Sequence, residues 1–350
     1  MNGAGSGNMD TCQAAEGETC LLKEGSSPIV KKRVAWVDLV RVFALFIILW
    51  KHASMPEWLD IPTTASVFVY FLLAGYFCRL DGRSLWLRAG RILRTYAAWM
   101  LVALPLACGG LWSSYRDGGT GFLSYAYECF IGNPDPVADG PLWFLKELFV
   151  FQCVLAVASL IGPARMMAGC LAVFLLARVY AADDMHYYSY ALNAIPFFVG
   201  VVCSRFSLQD AEDWFRKVRW PVAACVAAVA ACALWLHGDA GMADAQGYIG
   251  MRMFYFLICA GALCAAVEGC RLFPRACDWL ASYGSLVMFI YAGHMLLFKV
   301  SNYVCRELGM PDWRQEYGFA AALATFVVLA VAAKLLNRVC PGVMRVLMLK

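Results

Sequence analysis

Long apolar segments alternate with short polar ones along most of the chain. A membrane-spanning helix needs about 20 mostly apolar residues, because unpaired backbone groups are costly in hydrocarbon and a helix pairs its own. Apolar windows near this length predict ten spans, at residues 34–54, 62–78, 94–112, 142–161, 167–182, 189–204, 220–237, 249–270, 282–303 and 317–336. The pattern therefore predicts an all-α protein, a polytopic membrane helical bundle of ten transmembrane helices in a lipid bilayer.

The composition agrees with a membrane protein and excludes other classes. Of the residues, 62% are hydrophobic and 15% are charged, whereas soluble domains have roughly 45–50% apolar residues. The net charge of +4 does not gather on one basic face, so no nucleic-acid partner is expected. The 16 cysteines lie mostly in apolar segments without a Cys-x-x-Cys pair, and we interpret them as small apolar residues rather than as a disulfide framework.

The polar segments predict the domain limits and the orientation. Residues 1–33 are rich in Gly and Ser and lack the apolar core of a signal peptide, so a disordered cytoplasmic N-terminal tail is expected. The membrane domain covers residues 34–336, and a short cytoplasmic C-terminal tail covers residues 337–350. With the N-terminus inside, nineteen Lys and Arg residues lie on inner segments and three on outer loops. Because cytoplasmic loops carry the excess of these residues, both termini are predicted to be cytoplasmic.

The first predicted helix carries three polar residues on one face. Asp38 and Arg41 are three residues apart and can pair. His52 follows Arg41 by eleven residues, which is three turns plus about 20°, so both side chains point the same way, roughly 16 Å apart. Ionisable groups inside a span are costly and tend to be functional. We interpret His52 as a general base, with Arg41 and Asp38 as its catalytic partners, and the alternative is a structural histidine.

An arginine-rich segment follows the second predicted span. Arg91 and Arg94 lie three residues apart, so on a helix they form one guanidinium pair on the cytoplasmic side. Guanidinium groups bind phosphates in a bidentate manner, which suits the phosphates of a cytosolic donor. The alternative is a topological anchor on anionic lipid.

The fourth and ninth predicted spans also carry candidate substrate-binding residues. In the ninth, Tyr291 precedes His294 by three residues, and we interpret both as part of an acceptor site, with a structural hydrogen bond of His294 to another helix as the alternative. In the fourth, Lys146 and Glu147 are adjacent and diverge by about 100°, so one of them should meet water. Neither His186 nor His237 has metal-ligand spacing, and no metal is expected.

Taken in order, these motifs resemble the acyltransferase-3 family of bacterial membrane acyltransferases. In that family the first helix has an Asp, an Arg three residues later and a His eleven residues beyond it; an Arg-x-x-Arg pair follows the second span; and a Gly-Ser-Leu segment precedes a Tyr and a His. The matching residues here are Asp38, Arg41 and His52, then Arg91 and Arg94, then Gly284, Ser285, Leu286, Tyr291 and His294. Many members also have Trp-Ser-Leu with a Glu three residues after the Leu. This chain departs from that pattern: it has Phe144 between Trp143 and Leu145, and Glu147 follows Leu145 by only two residues.

The resemblance implies a ten-helix enzyme of the bacterial cytoplasmic membrane that uses cytoplasmic acyl-CoA, commonly acetyl-CoA, as a donor substrate. It further implies a carbohydrate or other cell-envelope acceptor that is acylated on a hydroxyl, with Trp143 and Glu147 on the acceptor side. Some members carry an extra extracytoplasmic domain that this sequence does not show, which suggests that the chain acts alone or passes its acyl group to a separate extracytoplasmic partner. The alternative function is a multi-helix transporter or flippase, for which intramembrane charges would serve equally well.

Overall fold

Helices joined by short connections make up the described part of the chain. The computed structural model describes residues 34–56, 60–116, 127, 140–162, 185–236 and 249–349. Within these residues there is no β-strand, which confirms the predicted all-α class.

Eleven α-helices are numbered here in chain order, for the described residues only. The first five are α1 Ala35–His52, α2 Asp60–Tyr76, α3 Gly82–Arg116, α4 Trp143–Ser159 and α5 Met185–Cys203. The remaining six are α6 Leu208–Leu236, α7 Ile249–Leu272, α8 Pro274–Ala281, α9 Val287–Glu307, α10 Trp313–Val339 and α11 Pro341–Leu347. Short 3-10 turns at Gly140–Leu142 and Ser282–Ser285 lead into α4 and α9.

Every predicted span except the fifth coincides with a helix, and the fifth, residues 167–182, lies outside the described residues. Two helices begin twelve residues earlier than their predicted spans. The first part of α3 and the first part of α6 are polar, so a search for apolar windows misses them. With 35 residues, α3 extends over about 52 Å, well beyond the ~30 Å of a hydrocarbon core. If α3 is the third predicted span, its arginine-rich first turns extend beyond the hydrocarbon.

Three described helical stretches are long and apolar enough to cross a membrane: Gly140–Ser159, Tyr255–Leu272 and Trp313–Val339. The number is four if Pro274–Ser285 and Val287–Glu307, which are bent by 69° at their junction, form one span. These stretches agree with a membrane protein, and the count of ten spans stays a prediction.

Helix α1 lies at the centre of the bundle, in contact with α2, α7, α8, α9 and α10. Two clusters of buried apolar side chains surround it, one toward α9 and α10 and the other toward α2 and α7. The C-terminal end of α1 also meets a kink in α10. At this kink Gly318 has a φ of 23°, and a Cβ added there would lie 3.2 Å from the carbonyl oxygen of Ala53. The central helix is therefore fixed on several sides, including beside its last residue, His52.

Glycines allow α2 and α5 to cross with their backbones nearly touching. A Cβ added at Gly75 would lie 1.9 Å from the Phe197 carbonyl oxygen, and one at Gly200 would lie 2.0 Å from the Leu72 carbonyl oxygen. Small residues at such crossings are the usual basis of helix packing in membranes, where apolar side chains gain nothing by leaving lipid. Larger side chains at either glycine would separate the two helices.

The segment predicted as a C-terminal tail is packed against α3. Residues 337–339 continue α10, and α11 follows after one residue. The Thr95 hydroxyl donates to the Val346 carbonyl oxygen (2.7 Å), and the Trp99 indole N–H donates to the Leu347 carbonyl oxygen (3.0 Å). The structure thus adds a helix and specific contacts to a segment that the sequence described only as short and basic.

Candidate active site

Two histidines from different helices meet at the end of α1. The rings of His52 on α1 and His294 on α9 have centroids 5.1 Å apart and are tilted by 44°. The side chain of His294 is completely buried, whereas His52 is accessible. The sequence indicated both residues, on the first and ninth predicted spans. Their contact brings one predicted catalytic residue, His52, together with one predicted acceptor-site residue, His294.

The hydrogen bonding of His294 defines which of its nitrogens can take a proton. Its Nδ1 contacts the Tyr291 carbonyl oxygen on the same helix. A carbonyl oxygen only accepts, so this contact assigns the hydrogen to Nδ1 and leaves Nε2 of the neutral ring with a lone pair. Nε2 is buried and has no hydrogen-bond partner among the described residues. An unsatisfied buried group costs about 1–3 kcal/mol, so such a position fits an acceptor that awaits a ligand or a proton.

Tyr291 lies beside the histidine pair, and the ring of Tyr70 lies 6.3 Å from the ring of Tyr291. The Tyr291 ring lies 5.9 Å from His294 and 5.6 Å from Phe144, and its hydroxyl donates to the Pro141 carbonyl oxygen at 2.7 Å. The Tyr70 hydroxyl donates to the Arg41 carbonyl oxygen. Both hydroxyl hydrogens are thus engaged by the backbone. We infer that these tyrosines hold α1, α2, α4 and α9 in register and shape the site.

The other two predicted catalytic residues of α1, Asp38 and Arg41, lie away from His52. Arg41 Nη1 is 3.4 Å from Asp38 Oδ1, as the i, i+3 spacing predicts. The Asp38 side chain packs on the backbone of Gly284, where an added Cβ would be 2.6 Å from three of its atoms. Along a helix, the eleven residues between Arg41 and His52 place them about 16 Å apart. The structure thus places the Asp–Arg pair three turns from the histidine pair, along the same helix.

The predicted arginine pair lies on α3, and both side chains are exposed. One turn further along this helix, Trp99 packs its ring against Phe289, with the centroids 5.2 Å apart. A Cβ added at Gly293, the neighbour of His294, would lie 3.4 Å from the Trp99 ring. The helix that carries Arg91 and Arg94 is therefore in direct contact with the helix that carries His294.

The two predicted acceptor-side residues of α4 occupy different environments. Trp143 is partly buried, and its ring centroid lies 6.2 Å from that of Phe71. The Glu147 side chain is buried, and its Oε2 accepts from Asn193 Nδ2 of α5 at 2.9 Å. Lys146 is only partly buried, as expected for adjacent residues that diverge on a helix. The structure brings Glu147 to Asn193, and substrate contact at Trp143 and Glu147 stays a prediction.

Sequence reasoning missed a third polar group near the histidines. At the start of α10, the Asp312 carboxylate caps the helix by accepting from the Arg314 backbone N–H at 3.0 Å. The same carboxylate accepts from Arg314 Nε at 3.0 Å and from Nη2 at 2.5 Å. The guanidinium carbon lies 5.6 Å from the ring centroid of Phe298, whose centroid is 6.0 Å from that of His294. The sequence signal that could have indicated this group is Asp312 two residues before Arg314 at the start of a helix.

Among the described residues, no three His, Cys, Asp or Glu side chains converge as metal ligands. The described cysteines are all free thiols, several of them buried among apolar side chains.

The apolar helices and the buried imidazole together fit a membrane enzyme that moves a proton during group transfer. Residues 34–335 match the family model described as an acyltransferase domain, of the acyltransferase-3 type. Because the match covers nearly the whole chain, this protein belongs to the acyltransferase-3 family and is a membrane acyltransferase. Comparisons with curated proteins and with solved structures found no match.

Proposed function

We propose that this enzyme transfers an acyl group from cytoplasmic acyl-CoA to a hydroxyl of a sugar, glycan or other cell-envelope acceptor. The observation that carries the proposal is the buried, unpartnered Nε2 of His294 beside the accessible ring of His52. Acyl transfer to a hydroxyl needs a group that takes the hydroxyl proton, and a neutral imidazole suits this task near neutral pH. Acetyl is the acyl group that we propose, because Tyr291 and Phe298 crowd the pair.

In the proposed reaction His52 is the base, because its accessible ring can meet the acceptor. The hydroxyl oxygen bonds to the thioester carbonyl carbon while its proton passes to His52. The carbon–sulfur bond then breaks, and the CoA thiolate that leaves takes up the proton from His52, which becomes neutral again. With its lone pair at Nε2, His294 can accept from the protonated edge of His52 and so hold the other nitrogen toward the acceptor. Such orientation of a base by a second group is common in acyl transfer.

The donor is proposed to bind at the arginine pair on α3. Exposed guanidinium groups three residues apart suit the phosphates of CoA, and the contact of Trp99 with α9 connects this helix to the histidine site. The acyl-bearing arm would pass along α1, beside Asp38 and Arg41. In this proposal those two residues position the donor rather than take part in proton transfer.

The proposed arrangement needs a donor on one side of the membrane and an acceptor on the other. We propose ten spans with both termini in the cytoplasm of a bacterium and the chain in its cytoplasmic membrane. The basic inner loops and the helices found at the described predicted spans support this topology. His52 would then open to the outer side, where Trp143 offers an aromatic face to a sugar ring. A separate extracytoplasmic protein is a further candidate acceptor or recipient.

Radiolabelled acetyl transfer from acetyl-CoA in inverted membrane vesicles tests this function. The native chain is compared with His52→Ala, with His294→Ala and with the double variant Arg91→Ala/Arg94→Ala at matched expression. Loss of labelling in the histidine variants, with acetyl-CoA binding retained, is the expected result. The double arginine variant should lose acetyl-CoA binding.

Arg83→Ala is the matched control for the arginine pair, because Arg83 is also exposed on α3 but lies two turns before Arg91. It should label and bind like the native chain. If native vesicles transfer no acyl group from acetyl-CoA or from longer acyl-CoA donors, the donor assignment is wrong. If Arg83→Ala loses as much acetyl-CoA binding as the double variant, the arginines of this helix act only through their overall charge.

A further inference from the structure

The start of α10 holds a guanidinium group rigidly beside the histidine pair. Asp312 fixes Arg314 through Nε and Nη2 while capping the helix with the same carboxylate. The Arg314 side chain is 22% exposed, and its Nη1 makes no hydrogen bond to any described residue. Two donors on that nitrogen thus remain for a ligand.

Packing connects Arg314 to His294 through the ring of Phe298. The guanidinium stacks on Phe298, which packs against His294. Trp313 fixes the first turn of α10 on α9, because its indole N–H donates to the Ser301 hydroxyl at 2.9 Å.

The kink at Gly318 brings this turn over the end of α1. Its left-handed backbone, with a φ of 23°, lets α10 approach the carbonyl oxygens of Ala53 and Ser54, one and two residues after His52. The strained glycine, the clamped arginine and the end of α1 thus form one local structure.

Acyl transfer to a hydroxyl places negative charge on the carbonyl oxygen of the thioester, and a hydrogen-bond donor at that oxygen stabilises this charge. As the acceptor oxygen bonds to the thioester carbonyl carbon, the carbonyl electron pair moves to its oxygen, which becomes an oxyanion. Donors placed in advance at that oxygen are often the largest single contribution to catalysis. The Tyr291 hydroxyl, on the ring that lies 5.9 Å from His294, donates to the Pro141 carbonyl oxygen and is engaged.

We propose that the Nη1 edge of Arg314 binds the acyl carbonyl oxygen as it becomes an oxyanion, and that Asp312 positions this edge. The assignment rests on the proposed function and adds a catalytic residue that the motifs of the family resemblance do not include. When the carbon–sulfur bond breaks, the electron pair returns from the oxygen to the carbonyl, and Arg314 releases it. The guanidinium keeps its proton throughout.

Steady-state kinetics of the purified chain in lipid nanodiscs tests this assignment, with acetyl-CoA as donor and the acceptor that the vesicle assay labels. Removing one oxyanion donor lowers kcat by about 10²–10³-fold, so Arg314→Ala should show such a loss with an unchanged KM for acetyl-CoA. Arg314→Lys keeps the charge but loses the planar fork, and it should recover only part of the rate. Added guanidinium ion should partly restore Arg314→Ala, which a purely structural role would not allow.

Arg306→Ala is the matched control, because Arg306 is near the end of α9, is 72% exposed and pairs with Glu307. It should keep the native kcat and show no response to guanidinium. Native kcat in Arg314→Ala, or a loss confined to KM, would overturn the assignment while leaving the proposed function intact. A native chain that transfers no acyl group from acetyl-CoA would overturn both. If Arg314→Ala fails to fold, Arg314→Gln and Arg314→Lys give the same comparison.

Discussion

The contact between Gly284 and Asp38 gives a prediction whose size follows from the structure. In Gly284→Ala the new Cβ would lie 2.6 Å from Cβ, Cγ and Oδ1 of Asp38, about 0.8 Å short of the 3.4 Å at which ordinary contact begins. The Asp38 side chain is buried and pairs with Arg41, so it cannot swing into open space. The 3-10 turn before α9 must therefore move away from α1. Overpacking of this kind costs about 1–3 kcal/mol.

Thermal unfolding in detergent, followed by tryptophan fluorescence, measures this cost. Gly90→Ala is the matched control, because nothing lies within 4 Å of a Cβ added at Gly90 on α3. Replacing a helical glycine by alanine gains about 0.5–1 kcal/mol in helix propensity, so the control should be more stable than the native chain. Gly284→Ala should be less stable and less active, because α9 carries His294. An unfolding temperature for Gly284→Ala at or above that of the control would refute the packing argument.

Three further perturbations have expected outcomes. Gly318→Ala forces a Cβ into a left-handed backbone position, which costs about 1–3 kcal/mol, and it should lower acyl transfer more than acetyl-CoA binding as Arg314 moves. Asn193→Leu removes a donor to the buried Glu147 carboxylate and should lower the stability by about 1.5–3 kcal/mol, measured by thermal unfolding. Asn193→Gln keeps an amide donor and should lose less stability. Hydrogen bonds from Arg314 lower the pKa of Asp312, so its stabilising contribution is complete above the ordinary carboxyl pKa and is lost as pH falls through the lowered value. Unfolding temperatures measured from neutral to about pH 3 should fall less steeply in Asp312→Asn than in the native chain.

Most helices could be predicted from the sequence because lipid demands long apolar segments. The first turns of α3 and α6 escaped that pattern, since they are polar and apolar windows do not mark them. The bend between α8 and α9 escaped it as well, because an apolar run looks the same whether straight or bent. A hydropathy pattern indicates whether lipid or water surrounds a helix, but it does not indicate whether the helix is straight or bent.

The site was predictable residue by residue but not as an arrangement. Periodicity placed His52 on the polar face of α1, and the spacing of Tyr291 and His294 indicated the second histidine. Their contact depends on how α1 and α9 cross, which only packing decides. Arg314 was counted as one of three basic residues on outer loops, because nothing in its local sequence indicates that Gly318 folds it back over α1.

The hydrogen bond between Thr95 and Val346 joins residues separated by 251 positions. A contact this distant in sequence forms late, because all the intervening helices must be inserted before its partners can meet. Because α3 also packs on α4, it is held in place before this bond forms. The bond to Val346 is thus the last of its connections to form, and it closes the bundle at the residue next to Arg94.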